Sequence, residues 1–229
     1  MQYEQVRARL DELADPAQLE GQARFGIDVS NSLGIGMPAL RKLAREAGRD
    51  HDLAGLLWSS GIREARILAA LVDDPASVTE DQMEAWAGEF SSWEVVDTCC
   101  CNLFDATVHA YSKAVEWSRR EEEFVKRAGF SLMAGLAVHD KKAGNRDFDQ
   151  FFVAIEREAC DGRNFVKKAV NWALRQIGKR NLELRARAIE VAERVGAMDC
   201  KAAKWVASDA LRELRNPQLE TRLGARHQP

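Results

Sequence analysis

Apolar residues recur along the chain at helical spacing, in pieces of roughly 10 to 18 residues. Turn-forming stretches such as SNSLGIGMP, DDPAS, HDKKAGN, ACDGRN and RNPQ separate the pieces. No stretch alternates apolar and polar residues as a half-buried strand would, so the pattern predicts helices throughout. In GIGMPALRKLAREAG, Pro38 suits a first helical turn and Gly48 a C-terminal cap. Gly34 and Gly36, just upstream, read as plain loop, because a phosphate cradle would want a strand before them and none is predicted.

Comparison of the chain with itself says more. EFVKRAGFSLMAGLA from Glu123 and NFVKKAVNWALRQIG from Asn164 share Phe-Val-Lys-basic-Ala at a spacing of 41 residues, and REARILAALVD from Arg63 is a looser echo. That spacing falls among the roughly 40 to 47 residues of HEAT and armadillo helix-pair repeats. The expected architecture is an all-α, HEAT-like/armadillo-type helical-repeat superhelix, a solenoid with a concave groove, formed as a single domain over residues 1–229.

Composition agrees. Ala, Leu, Glu, Arg and Lys dominate, with only 5 prolines and 2 tyrosines, a set of strong helix formers. At 46% hydrophobic over 229 residues, the chain can bury a substantial core. No segment approaches the roughly 18 consecutive apolar residues of a membrane span, and no basic start leads into an apolar run. The expectation is a cytoplasmic protein with no membrane partner. The 5 cysteines include the adjacent Cys99, Cys100 and Cys101, which argues for reduced, packed thiols rather than a disulfide framework. Adjacent helical positions diverge by about 100°, so the run makes no zinc tetrahedron, and neither a metal nor another cofactor is expected.

Charge changes the picture. The net charge is −3, yet residues 1–100 hold 9 basic and 18 acidic side chains and the remainder 24 and 18. Residues 163–187 carry eight Arg or Lys and one Glu. Lys126 and Arg127 recur as Lys167 and Lys168, and Arg175 lies two turns further on, so equivalent helices are expected to present cations along one groove to phosphates. Trp58, Trp86, Trp117 and Trp205 fall on apolar faces and read as core, and His139 and Asp140 as a helix end.

In SSWEVVDTCCC, Trp93 and Asp97 are four apart and share a helix face, with Glu94 on another. Trp172 lies four residues after Lys168, and stacked repeats bring such positions to a common surface. Here the residues resemble a family. Phe25 followed by LGI, SSWEVVD, FVKRAGFSL and FVKKAVNWALR are similar, over about residues 20 to 215, to segments of the AlkD-type DNA alkylation repair proteins, which are built of HEAT-like repeats. The resemblance implies a catalytic carboxylate at Asp97, lesion-lining indoles at Trp93 and Trp172, a backbone-holding arginine at Arg127, and a weaker DNA contact at Phe25. It implies a monofunctional, monomeric glycosylase that removes cationic N3- or N7-alkylated purines from double-stranded DNA. The alternative is a non-catalytic scaffold binding DNA structure or a protein through the same groove. The acidic net charge and the run RREEE at 119–123 depart from the family's expected basic face.

Overall fold

The computed structural model describes residues 1–225, and among these no strand forms. The helices fall into two compact units, Met1–Thr107 and Val108–Pro229. In unit 1 these are α1 (Tyr3–Leu13), α2 (Leu19–Arg24), α3 (Met37–Ala47), α4 (His51–Ser59), α5 (Arg63–Val72), α6 (Glu80–Gly88) and α7 (Trp93–Asn102). Unit 2 holds α8 (Ala110–Trp117), α9 (Glu123–His139), α10 (Asp149–Glu158), α11 (Asn164–Gly178), α12 (Leu182–Gly196), α13 (Lys201–Leu214) and α14 (Pro217–Ala225).

Each unit is two layers of helices. In unit 1, α1, α3, α5 and α7 touch in succession, and α4 packs behind α5. Trp58 of α4 and Trp86 of α6 stack face to face at 4.0 Å. In unit 2, α9, α11 and α13 form one layer, and α8, α10 and α12 the other. Among the described residues, no helix is long and apolar enough to cross a membrane.

Local signals explain the boundaries. Pro38 stands in the first turn of α3, and Gly48 ends it at φ 76°. Asp50, Thr79 and Asn181 cap α4, α6 and α12 by accepting from the backbone N–H groups of Leu53, Gln82 and Leu184. Asp140 closes α9, accepting from the N–H groups of Lys142 and Ala143 and from the Tyr111 hydroxyl at 3.0, 3.1 and 3.0 Å. Gly129 lets α9 press onto α8, since a Cβ there would lie 2.5 Å from the Ser118 nitrogen.

The two units run on different steps. Side-chain ties in unit 2 repeatedly join residues 38 apart, as in Arg127 to Phe165, Asn171 to Asp209 and Arg194 to Glu156. In unit 1 the step is about two turns shorter, at 31 for Trp58 to Glu89 and 32 for Ser32 to Glu64.

Two expectations are corrected. Cys160 and Cys200 form a disulfide with Cα atoms 5.8 Å apart, whereas reduced thiols were expected. Their separation of 40 residues is one repeat, so equivalent corners of successive helix pairs meet. Trp58, Trp86 and Trp117 are core, but Trp205 is 39% exposed. The apolar stripe of α13 is Ala202, Ala203, Val206, Ala207 and Ala210, and Trp205 sits at its edge. Cys99 and Cys100 are buried reduced thiols, and burial pushes both well above the ordinary thiol range.

Candidate functional site

Unit 1 carries Phe25, Trp93 and Asp97. Trp93 opens α7 and Asp97 follows one turn on, so the two share a face, and both are partly buried. The indole Nε1 of Trp93 donates to the Phe25 carbonyl oxygen at 3.0 Å, across 68 residues of sequence. Phe25, at the end of α2, is 74% exposed. Two predicted site residues thus meet through one hydrogen bond, which fixes the indole against the end of α2.

A second tie supports the first. Arg63, the first residue of α5, is buried, and its guanidinium donates to Ser32 Oγ at 2.9 Å, Gln22 Oε1 at 3.0 Å, Glu64 Oε1 at 2.7 Å and the Glu94 carboxylate. Gln22 lies on α2 just before Phe25, and Glu94 on α7 just after Trp93. The arginine therefore holds both segments that the Trp93–Phe25 bond joins. Burial raises the Glu94 carboxyl above its ordinary value; the Glu64 and Asp97 charges push the same way and Arg63 opposes them. Sequence reasoning missed this hub, because a charged pair opening a helix reads as solvated.

Glu64 also settles the glycine loop. It accepts from Ser32 Oγ at 2.8 Å, Leu33 N at 2.9 Å and Ile35 N at 3.2 Å. The loop does cradle an anion, and that anion is the protein's own carboxylate. Burial acts to raise Glu64, but the Leu33 N–H, Arg63 and Ser32 together hold it below its ordinary value.

Unit 2 carries the cations. The periodicity gave Lys126 and Arg127 a solvated groove face, but 13 of the 17 residues of α9 are buried, these two among them. Lys126 Nζ lies 2.7 Å from Glu158 and 3.6 Å from Asp161. Arg127 Nη1 donates to the Phe165 carbonyl at 2.8 Å, tying α9 to α11. The physical reason is position: α9 packs against both α8 and α11, so its polar side chains have to find partners inside.

On α11 the cations face out. Lys168 is exposed, Trp172 is partly buried, and Lys167 places its Nζ 4.8 Å from the centroid of the Trp205 ring. Arg175 is ion-paired with Glu213 and with Asp209 at 3.3 Å, and Lys179 with Glu213 at 3.0 Å. Burial acts to raise Glu213, yet Arg175 and Lys179 hold it below its ordinary value. A phosphate at Arg175 would have to replace these carboxylates. Among the described residues, no group of three His, Cys, Asp or Glu side chains is placed to hold a metal ion.

A family model described as DNA alkylation repair enzyme matches residues 6–214. The chain belongs to the DNA alkylation repair enzyme family. A solved structure from a family related to the HEAT-like repeat DNA glycosylases, with affinity for branched DNA structures, superposes with a TM-score of 0.80 at 18% identity. The match covers 96% of this chain and 97% of that one. At such identity the likeness establishes the fold, a HEAT-like helical repeat. A designed armadillo repeat protein in complex with a (KR)4 peptide matches more loosely, with a TM-score of 0.40 at 15% identity over 98% of this chain and 87% of that one. No curated protein matches the chain.

Proposed function

We propose that this family member is a monofunctional DNA glycosylase that hydrolyses the N-glycosidic bond of cationic N3- or N7-alkylated purines in double-stranded DNA. The observation that carries the proposal is the α7 turn, where Asp97 shares a face with an indole fixed to the Phe25 backbone. Alkylation leaves the purine positively charged and already a good leaving group. The enzyme then has to favour the sugar as it gains oxocarbenium character.

In this reading the Asp97 carboxylate stabilises that charge and orients the attacking water. The Trp93 indole offers its π face to the developing cation, and Trp172 on α11 is a second indole that offers a π face to DNA. Phe25 packs against the DNA, and Lys167 and Lys168 take phosphates. Arg175 joins them by exchanging Glu213 for a phosphate. Arg127 acts from behind this face by holding α9 to α11, and Lys126 by neutralising Glu158, rather than as direct phosphate clamps. The chain works as one HEAT-like domain over residues 1–229, a cytoplasmic monomer needing no cofactor.

A second reading is a non-catalytic protein that binds branched DNA without using Lys126 and Arg175, which the protein's own carboxylates hold. Branched DNA is also what the structural neighbour is described as binding. The test is to incubate the protein with duplexes carrying 7-methylguanine or 3-methyladenine and measure free base. Release above the spontaneous rate supports the glycosylase. Tight binding to branched DNA without release supports the scaffold.

A further inference from the structure

The starts of α11 and α13 form a second feature, outside the Trp93–Asp97 turn. The Cys160–Cys200 disulfide joins the loops that lead into these two helices. Lys201 and Trp205 lie one turn apart on α13 and share a face. Lys167 reaches across from α11 to the Trp205 ring, with Lys168 beside it and Lys204 next to Trp205 in sequence. Lys168, Lys201, Lys204 and Trp205 are all exposed, and Lys204 is ion-paired with Asp199 at 3.1 Å.

The contrast with the rest of the same layer is informative. Further along α11, Asn171, Arg175 and Lys179 are matched on α13 by Asp209 and Glu213. At the start of the helices the position matching Lys167 is an indole instead of a carboxylate. Among the described residues no carboxylate of the neighbouring helix pairs with these lysines, Lys204 pairing only with Asp199 in the loop before α13, and the ring, 39% exposed, is left as a stacking surface.

We propose that the stapled starts of α11 and α13 bind a short unpaired stretch of nucleic acid, with Trp205 stacking on a base and the lysines taking the flanking phosphates. Closed duplex has no free base face to offer Trp205, whereas an unpaired strand does, and base stacking on an aromatic ring is tolerant of sequence. The disulfide holds the two helix starts in one register, so the ring and the lysines act on the same strand. The inference rests on the reading of the chain as a nucleic-acid-binding protein, and not on catalysis by Asp97.

The test is fluorescence anisotropy with a labelled oligothymidylate of about 12 nucleotides, within single-strand site sizes, beside a closed duplex of equal length. Trp205→Ala is expected to weaken oligothymidylate binding about 5- to 150-fold and duplex binding less than about 2-fold, with Trp205→Phe retaining most of the affinity. The double variant Lys201→Glu, Lys204→Glu should flatten the salt dependence of oligothymidylate binding by about 1.4 in log–log slope. Unchanged binding by Trp205→Ala, or an equal loss on duplex, overturns the proposal. A wild-type protein that releases no alkylated base yet loses oligothymidylate affinity on Trp205→Ala would refute the glycosylase and leave this site standing.

Discussion

Lys126 separates a structural cation from a DNA contact. Its side chain is 7% exposed and lies between Glu158 and Asp161, themselves 15% and 10% exposed. Lys126→Met keeps the aliphatic stem and removes the charge, leaving two poorly hydrated carboxylates. Breaking a buried pair costs about 3–5 kcal/mol, but Arg157 still serves Glu158 and Arg163 still serves Asp161. The expected loss at neutral pH is therefore about 2 kcal/mol, below that range, or a fall in Tm of about 4–8 °C for a chain of this size.

The pH dependence fixes the cause. Burial acts to raise both carboxyls, but Lys126 and the arginines hold them below their ordinary values. Groups depressed in the folded state stabilise it above their unfolded values, and that stability is lost as pH falls through the folded ones. The gap between wild type and Lys126→Met should be widest at neutral pH and close in strong acid, as read by thermal melts across a pH series. A variant as stable as wild type, whose DNA binding instead loses salt dependence, would refute the burial argument and return Lys126 to the phosphate face.

Other substitutions probe the remaining contacts. Replacing Cys160 and Cys200 together by Ser frees a loop of 40 residues, and chain entropy puts the loss at about 4 kcal/mol; oxidised and reduced wild type should differ alike in chemical denaturation. Gly129→Ala places a Cβ 2.5 Å from a backbone nitrogen of α8 and should destabilise by about 1–3 kcal/mol, against little effect for Gly55→Ala, where the space is open. Arg63→Leu strands Glu64 and Glu94 and should cost about 3 kcal/mol. It should also speed amide hydrogen exchange at the end of α2, which loses its tie to α5; unchanged exchange there in a folded variant would deny the hub its positioning role.

Sequence pattern revealed some of this and concealed the rest for physical reasons. The 41-residue echo exposed the helical repeat because α9 and α11 bury the same Val and Ala positions, while Phe124 and Phe165 pack on each other at 5.5 Å. Their spatial register of 38 residues was hidden, since neighbouring helices of a layer slide by about a turn. The Trp93–Asp97 face followed from helical spacing alone. Its bond to Phe25 did not, because a side chain meeting a distant carbonyl leaves no local mark. Lys126 and Arg127 looked solvated because periodicity treats every lysine and arginine as an outward residue, while α9 is enclosed on two sides. The disulfide was legible in principle, as a cysteine pair one repeat apart, but three adjacent cysteines drew attention away from it.

The central claim is that the α7 carboxylate acts on a glycosidic bond. The most direct measurement is single-turnover release of 7-methylguanine from duplex DNA at saturating protein, wild type against Asp97→Asn. The account predicts release well above the spontaneous rate by wild type and a loss of about 10²- to 10³-fold in the variant, with duplex affinity retained. Equal release by both proteins, or none above background from the wild type, would contradict it.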